Sequence, residues 1–162
     1  MTTSDTIRYG IMAGVAGGLA EIAWISIHAI ATGTDPAILA RGITTAAGVG
    51  ALLPAAPVTL GIAVHMSLAA ALGIALASLW RALARTHGTG GLYALALAVL
   101  ASVWAMNFFV VLPAISPAFV LLVPYPVSLA SKLLFALAAA ETLRRCTIVA
   151  AKRMPVRVRA NN

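Results

Sequence analysis

The stretch YGIMAGVAGGLAEIAWISIHAIA, residues 9–31, decides the fold. At about 1.5 Å per helical residue it is long enough to cross a hydrocarbon core about 30 Å thick. Its only formal charge is Glu21, so no polar face is left for water. Gly10, Gly14 and Gly18 recur four apart and line one face, where another helix backbone can come close. Glu21 continues that face and therefore points into a bundle. Ala29-Ile30-Ala31 has the small-x-small form of a signal cleavage site. The apolar run before it is too long and carries Glu21, so the segment is expected to stay in the mature protein.

Three more stretches of this kind follow, at about 58–80, 92–112 and 118–143, separated by Gly33 to Pro36, Pro54 and Pro57, His87 to Gly91, and Pro113 with Pro117. The reading is an all-α, polytopic membrane protein, a four-transmembrane-helix bundle. Residues 1–148 form a single domain and 149–162 a basic cytoplasmic tail. Composition agrees: 62% of the 162 residues are hydrophobic and mean hydropathy is +1.00, far above a soluble domain. Pro124 and Pro126 lie inside the fourth stretch and predict a kinked, 3₁₀-like or re-entrant start, with regular helix from about Val127. In the first outer loop Asp35-Pro36 is a good helix start, predicting a short interfacial helix over 36–47. Gly61 and Gly73 repeat the small-residue idea in the second helix, with His65 on the same face. These faces pack together within the chain or form a homodimer seam. Trp80, Tyr9 and Tyr93 fit a cytoplasmic aromatic belt and Tyr125 an outer one.

The 11 Lys and Arg orient the bundle. Arg8, Arg81, Arg85, Arg144, Arg145, Lys152, Arg153, Arg157 and Arg159 fall on one side of a four-pass chain, and only Arg41 on the other. Both termini are thus expected in the cytoplasm. The net charge of +7 is then a topology signal, and no folded module presents it to nucleic acid. The Ala-, Arg- and Gly-rich composition suggests GC-rich bacterial DNA, hence a bacterial inner membrane.

Ionisable groups inside spans are costly and are functional candidates by default. Counted from the cytoplasmic ends, Glu21, His65, Asn107 and Lys132 all fall roughly 18–24 Å deep, so each helix contributes one polar group to one layer. A Glu21–Lys132 ion pair is the simplest way to satisfy it. The alternatives are a proton-coupled or small-solute carrier built on this layer, and a b-type haem protein with one haem ligated by His28 and His65. Cys146, the only cysteine, cannot form an intramolecular disulfide. No metal-ligand spacing, Walker loop, dinucleotide fingerprint or nucleophile elbow is present, so catalysis is not expected.

The Gly-x-x-x-Gly run followed by Glu21-Ile22-Ala23-Trp24 resembles the opening of small uncharacterised bacterial four-helix inner-membrane proteins of the YagU-like kind, over the first helix only. The resemblance implies an inner-membrane bundle and brings no assigned chemistry. The function expected from sequence is therefore a non-catalytic membrane protein acting as a small oligomer or as a subunit of a larger membrane complex, with lipid and other membrane chains as partners and no required cofactor.

Overall fold

The computed structural model describes residues 2–83 and 89–153. Arg85, Arg157 and Arg159, placed on the cytoplasmic side above, and His87 of the third separator lie outside the described residues. Among the described residues the secondary structure is helical, with no strand. Helix α1 (Thr3–Ala31) starts with a capping box: the Asp5 backbone N–H donates to Thr2 Oγ1 at 3.1 Å, and the Asp5 carboxylate accepts from the Thr2 N–H at 3.0 Å. Helix α2 (Ala37–Ala46) follows the turn at Asp35, whose carboxylate accepts the Ala37 N–H at 2.9 Å. Helix α3 (Pro57–Leu83) begins on proline, which has no N–H to orphan at that position.

Helix α4 (Thr89–Met106) runs into a π-helical turn, Asn107–Val111, and then into α5 (Leu112–Ile115). Pro113 explains the irregularity. It has no N–H for the Phe109 carbonyl, and in a regular α-helix its ring would clash with that carbonyl. The wider turn, in which the Leu112 N–H donates to the Asn107 carbonyl, carries the chain past the obstruction. A single turn, α6 (Pro117–Val120), precedes α7 (Tyr125–Arg153).

In the fourth stretch the start is irregular, and long regular helix begins at Tyr125, close to the expected Val127. The chain breaks between Val120 and Tyr125, and Pro126 lies in the first turn of α7, where proline is tolerated. Helix α7 continues to Arg153, so the first residues of the expected tail are helical. Three helical segments are long and apolar enough to cross a membrane: Thr3–Ala31, Pro57–Leu83 and Gly90–Ile115. Helix α7 matches α1 at 29 residues but carries Lys132, Glu141, Arg144 and Arg145, which lower its hydropathy.

Helix α1 lies between α3 and α7, and α4 packs on the other side of α7. A Cβ placed on Gly10 would meet Ile74 Cα at 2.5 Å, one on Gly14 would meet Ala70 Cα at 2.7 Å, and one on Gly18 would meet Met66 Sδ at 3.0 Å. As α1 advances α3 recedes, so the two helices are antiparallel and almost in backbone contact. The glycine seam is thus used within the chain. Gly73 belongs to it, but Gly61 does not: its added Cβ would lie 2.6 Å from the Ala40 carbonyl carbon, so this glycine admits α2. Thr44 reinforces the same junction by donating to the Pro57 carbonyl at 2.5 Å.

The core gathers at the end of the bundle that holds the start of α1. There Ala13, Leu76, Leu92, Phe135 and Leu143 are fully or almost fully buried, and Trp80 joins them. Trp80 is therefore a core residue and not a belt residue. Helices α3 and α4 meet near this end and otherwise scarcely touch. The other half of the bundle is left open between them.

Candidate functional site

The space between α3 and α4 is a cavity of about 860 Å³, open on one side, with mostly apolar walls. Glu21, His65, Asn107 and Lys132, the four residues of the expected polar layer, all line it, together with Ser128 and Ser131. Antiparallel packing accounts for this convergence. Glu21 sits one turn beyond Gly18 on the face turned to α3, and three positions along α1 and α7 run in opposite directions: Gly17 to Phe135, Glu21 to Lys132, and Trp24 to Val127.

Lys132 Nζ lies 2.8 Å from Glu21 Oε1, and Ser131 Oγ donates to the same oxygen at 3.3 Å. His65 Nε2 is 3.8 Å from the other carboxylate oxygen, Oε2, and 3.4 Å from the Gly18 carbonyl. Glu21 is the most deeply buried member, its side chain 6% exposed, against 18% for Lys132 and 21% for His65. The Lys132 ammonium also stands 5.6 Å from the centre of the Phe135 ring, a cation–π contact. Each charge offsets the other's loss of water, and Ser131 adds a hydrogen bond to the carboxylate, while the imidazole stands near it with its own contact at the Gly18 carbonyl.

Asn107 opens the π-helical turn, and its amide makes no hydrogen bond among the described residues. A free primary amide beside a lone ion pair presents both a donor and an acceptor to the cavity. Next to it, Trp104 and Phe108 line the wall and stack at 5.6 Å between ring centres, while Tyr125 closes edge-on at 6.3 Å from Trp104.

His28 lies elsewhere. It lines a separate space of about 280 Å³ beneath the turn at Asp35, and its imidazole has no hydrogen-bonding partner among the described residues. His65 faces the large cavity, so the two histidines are not brought into one space. A haem held between them would need a single cavity reaching both rings.

Two tryptophans not assigned a role from sequence donate hydrogen bonds through their indoles: Trp24 to the Val127 carbonyl at 3.0 Å and Trp104 to Ser128 Oγ at 3.0 Å. Together they tie the start of α7 to α1 and α4. Also missed is a cluster on Glu141, which accepts from Arg144 at 2.8 and 2.7 Å, from Arg145 at 2.6 Å and from the Tyr93 hydroxyl. The signal was present, because Arg144 and Arg145 follow Glu141 at helical spacing.

No family model, no curated protein and no solved structure matches the chain. Its function is therefore argued from the cavity.

Proposed function

We propose that this protein is a four-pass membrane protein, both termini cytoplasmic in a bacterial inner membrane, that binds a small ligand at the polar floor of its cavity and acts as a carrier or ligand-binding component. The observation that carries this reading is the convergence of Glu21, His65, Asn107 and Lys132 on one half-open space. A purely structural ion pair has no need of such a space beside it. Binding sites for small molecules have this character: about 300–1,000 Å³, apolar walls and a few converging polar groups.

The oligomer or complex-subunit reading loses its main sequence argument, because the glycine seam is filled by α3 of the same chain. It is kept as the reading that remains if the cavity binds nothing. The haem reading has a direct check: a Soret band that sharpens on reduction and vanishes in His28→Ala would put it ahead of both.

The test is native mass spectrometry of the detergent-released protein. A co-purifying small molecule is expected on the wild type. Ala75→Phe, which adds a ring at the cavity wall and leaves the four polar residues in place, should weaken or abolish the adduct and leave thermal unfolding nearly unchanged. An adduct equally present on Ala75→Phe, or absent throughout, would sink the proposal.

A further inference from the structure

Access to the cavity is restricted along the bundle axis. One end is filled by the buried core around Ala13, Leu76 and Leu92. The other is roofed by α2, which is fixed to α3 by the Gly61 contact and the Thr44–Pro57 hydrogen bond, and to α6 and the segment after it by Phe119 and Leu122 against Gly42. The opening is sideways. Its rim is made by Ile62 and Leu68 on α3, 41% and 65% exposed, and by Val111 and Ile115 across the gap, 38% and 60% exposed. All four rim residues belong to segments long and apolar enough to cross a membrane. Apolar side chains at that depth face hydrocarbon, so what enters between them comes from the acyl layer.

The floor restricts the ligand's polar end. Glu21 and Lys132 cancel each other, and His65 adds no formal charge when neutral. An anionic head would draw Lys132 away and leave a buried carboxylate uncompensated, while a cationic head would do the reverse to the ammonium. A neutral head that both donates and accepts hydrogen bonds leaves the pair intact and finds a matching partner in the unpaired Asn107 amide. The volume, about 860 Å³, is that of one drug-sized molecule.

Resting on the reading of this cavity as a binding site, we infer that its ligand is a neutral single-chain amphiphile, a hydroxyl- or carbonyl-bearing head on one long apolar tail. It enters laterally from the bilayer between α3 and α4, and its head lies against Asn107 and His65.

The experiment is native mass spectrometry of the delipidated full chain titrated with 1-monooleoylglycerol, oleate and glycerol. A saturable one-to-one adduct is expected with the monoglyceride. Oleate, with the same tail and an anionic head, should bind at least tenfold more weakly, and glycerol, a head without a tail, should neither bind nor compete. Ala75→Phe should lose the adduct, Asn107→Leu should weaken it severalfold, and Leu19→Phe, on an exposed face away from the cavity, should leave it unchanged. Oleate binding as well as the monoglyceride would overturn the neutral-head inference. Glycerol or another water-soluble molecule occupying the site in an Ala75→Phe-sensitive way would overturn lateral entry while leaving the binding-site reading in place. If no probe binds and nothing co-purifies, both readings fail together.

Discussion

At the scale of single residues, the Glu21–Lys132 pair is governed by what happens when one partner is lost. Both side chains are largely out of water, 6% and 18% exposed. Removing one leaves the other uncompensated, which in buried pairs costs about 3–5 kcal/mol, whereas removing both together is often close to neutral. Lys132→Met is accordingly expected to destabilise the protein by about 3 kcal/mol, and adding Glu21→Gln to recover a substantial part of that loss. Unfolding titrations in mild detergent on the two single variants and the double variant give the coupling directly. Strictly additive costs would mean that the charges do not stabilise each other. Trp24→Phe removes one indole donor from the Val127 carbonyl, and a loss of about 1 kcal/mol is expected in the same assay. Glu21, His65, Asn107 and Lys132 were legible because a polar side chain in an apolar run stands out and helical rise converts its position to a depth. Ser131 was not legible as a partner of Glu21, because a membrane serine is satisfied equally well by its own helix, and Ser131 also donates to the Ser128 carbonyl at 3.1 Å.

Between residues and the whole lie the helices, whose spacing is set by glycine and whose ends are set by capping. Gly14→Ala places a methyl group 2.7 Å from Ala70 Cα, so α1 and α3 must separate along the seam, and a loss of about 2 kcal/mol or more is expected. Gly90→Ala meets nothing within 4 Å among the described residues, and there the better helix propensity of alanine should be neutral or gain up to about 1 kcal/mol. Opposite signs in one melting series would separate close packing from propensity; equal effects would deny the seam. At the start of α2, the Arg41 guanidinium, and next the Ala37 N–H, hold the Asp35 carboxyl below its ordinary range. A depressed carboxyl contributes stability above its unfolded pKa, and this is lost as pH falls through the folded value. Hydrogen-exchange protection at the first turn of α2, corrected for intrinsic rates, should therefore fall below about pH 4, and Asp35→Asn should flatten that dependence. The short helix was readable from Asp35-Pro36, and three long apolar helices from their length. The π-helical turn was not, because proline was read as a boundary between spans when its effect begins four residues earlier, inside the third one. Gly61 was misassigned for a related reason. A small-residue face shows that something approaches but not which helix, and here α2 takes the end of a seam whose remainder belongs to α1.

On the scale of the whole molecule, the question is whether α7 crosses the same layer as its neighbours despite its charges. Three antiparallel contacts with α1, at Gly17, Glu21 and Trp24, and one with α4, from Trp104 to Ser128, lay α7 alongside two helices that are apolar enough to span. Part of its charge is also compensated. Lys132 is paired with Glu21, and Arg144 and Arg145 are gathered on Glu141 at the end of the bundle where Arg81 reaches Thr3 at 3.2 Å. Arg41 lies at the opposite end with α2. This segregation is what the retention of positive charge in the cytoplasm requires of four passes, whereas three passes would place the basic segment from Arg144 onward outside. In a Cys146→Ser background, Ala51→Cys, in the loop between α2 and α3, should react with a membrane-impermeant maleimide on intact cells. Ser4→Cys, and Cys146 of the otherwise native chain, should react only after permeabilisation. Labelling of Cys146 from outside, with Ser4→Cys still protected, would leave α7 on the outer face and would remove the floor of the cavity from the membrane interior. The lateral route and the need for a neutral head would fall with it, since Lys132 would then have access to water.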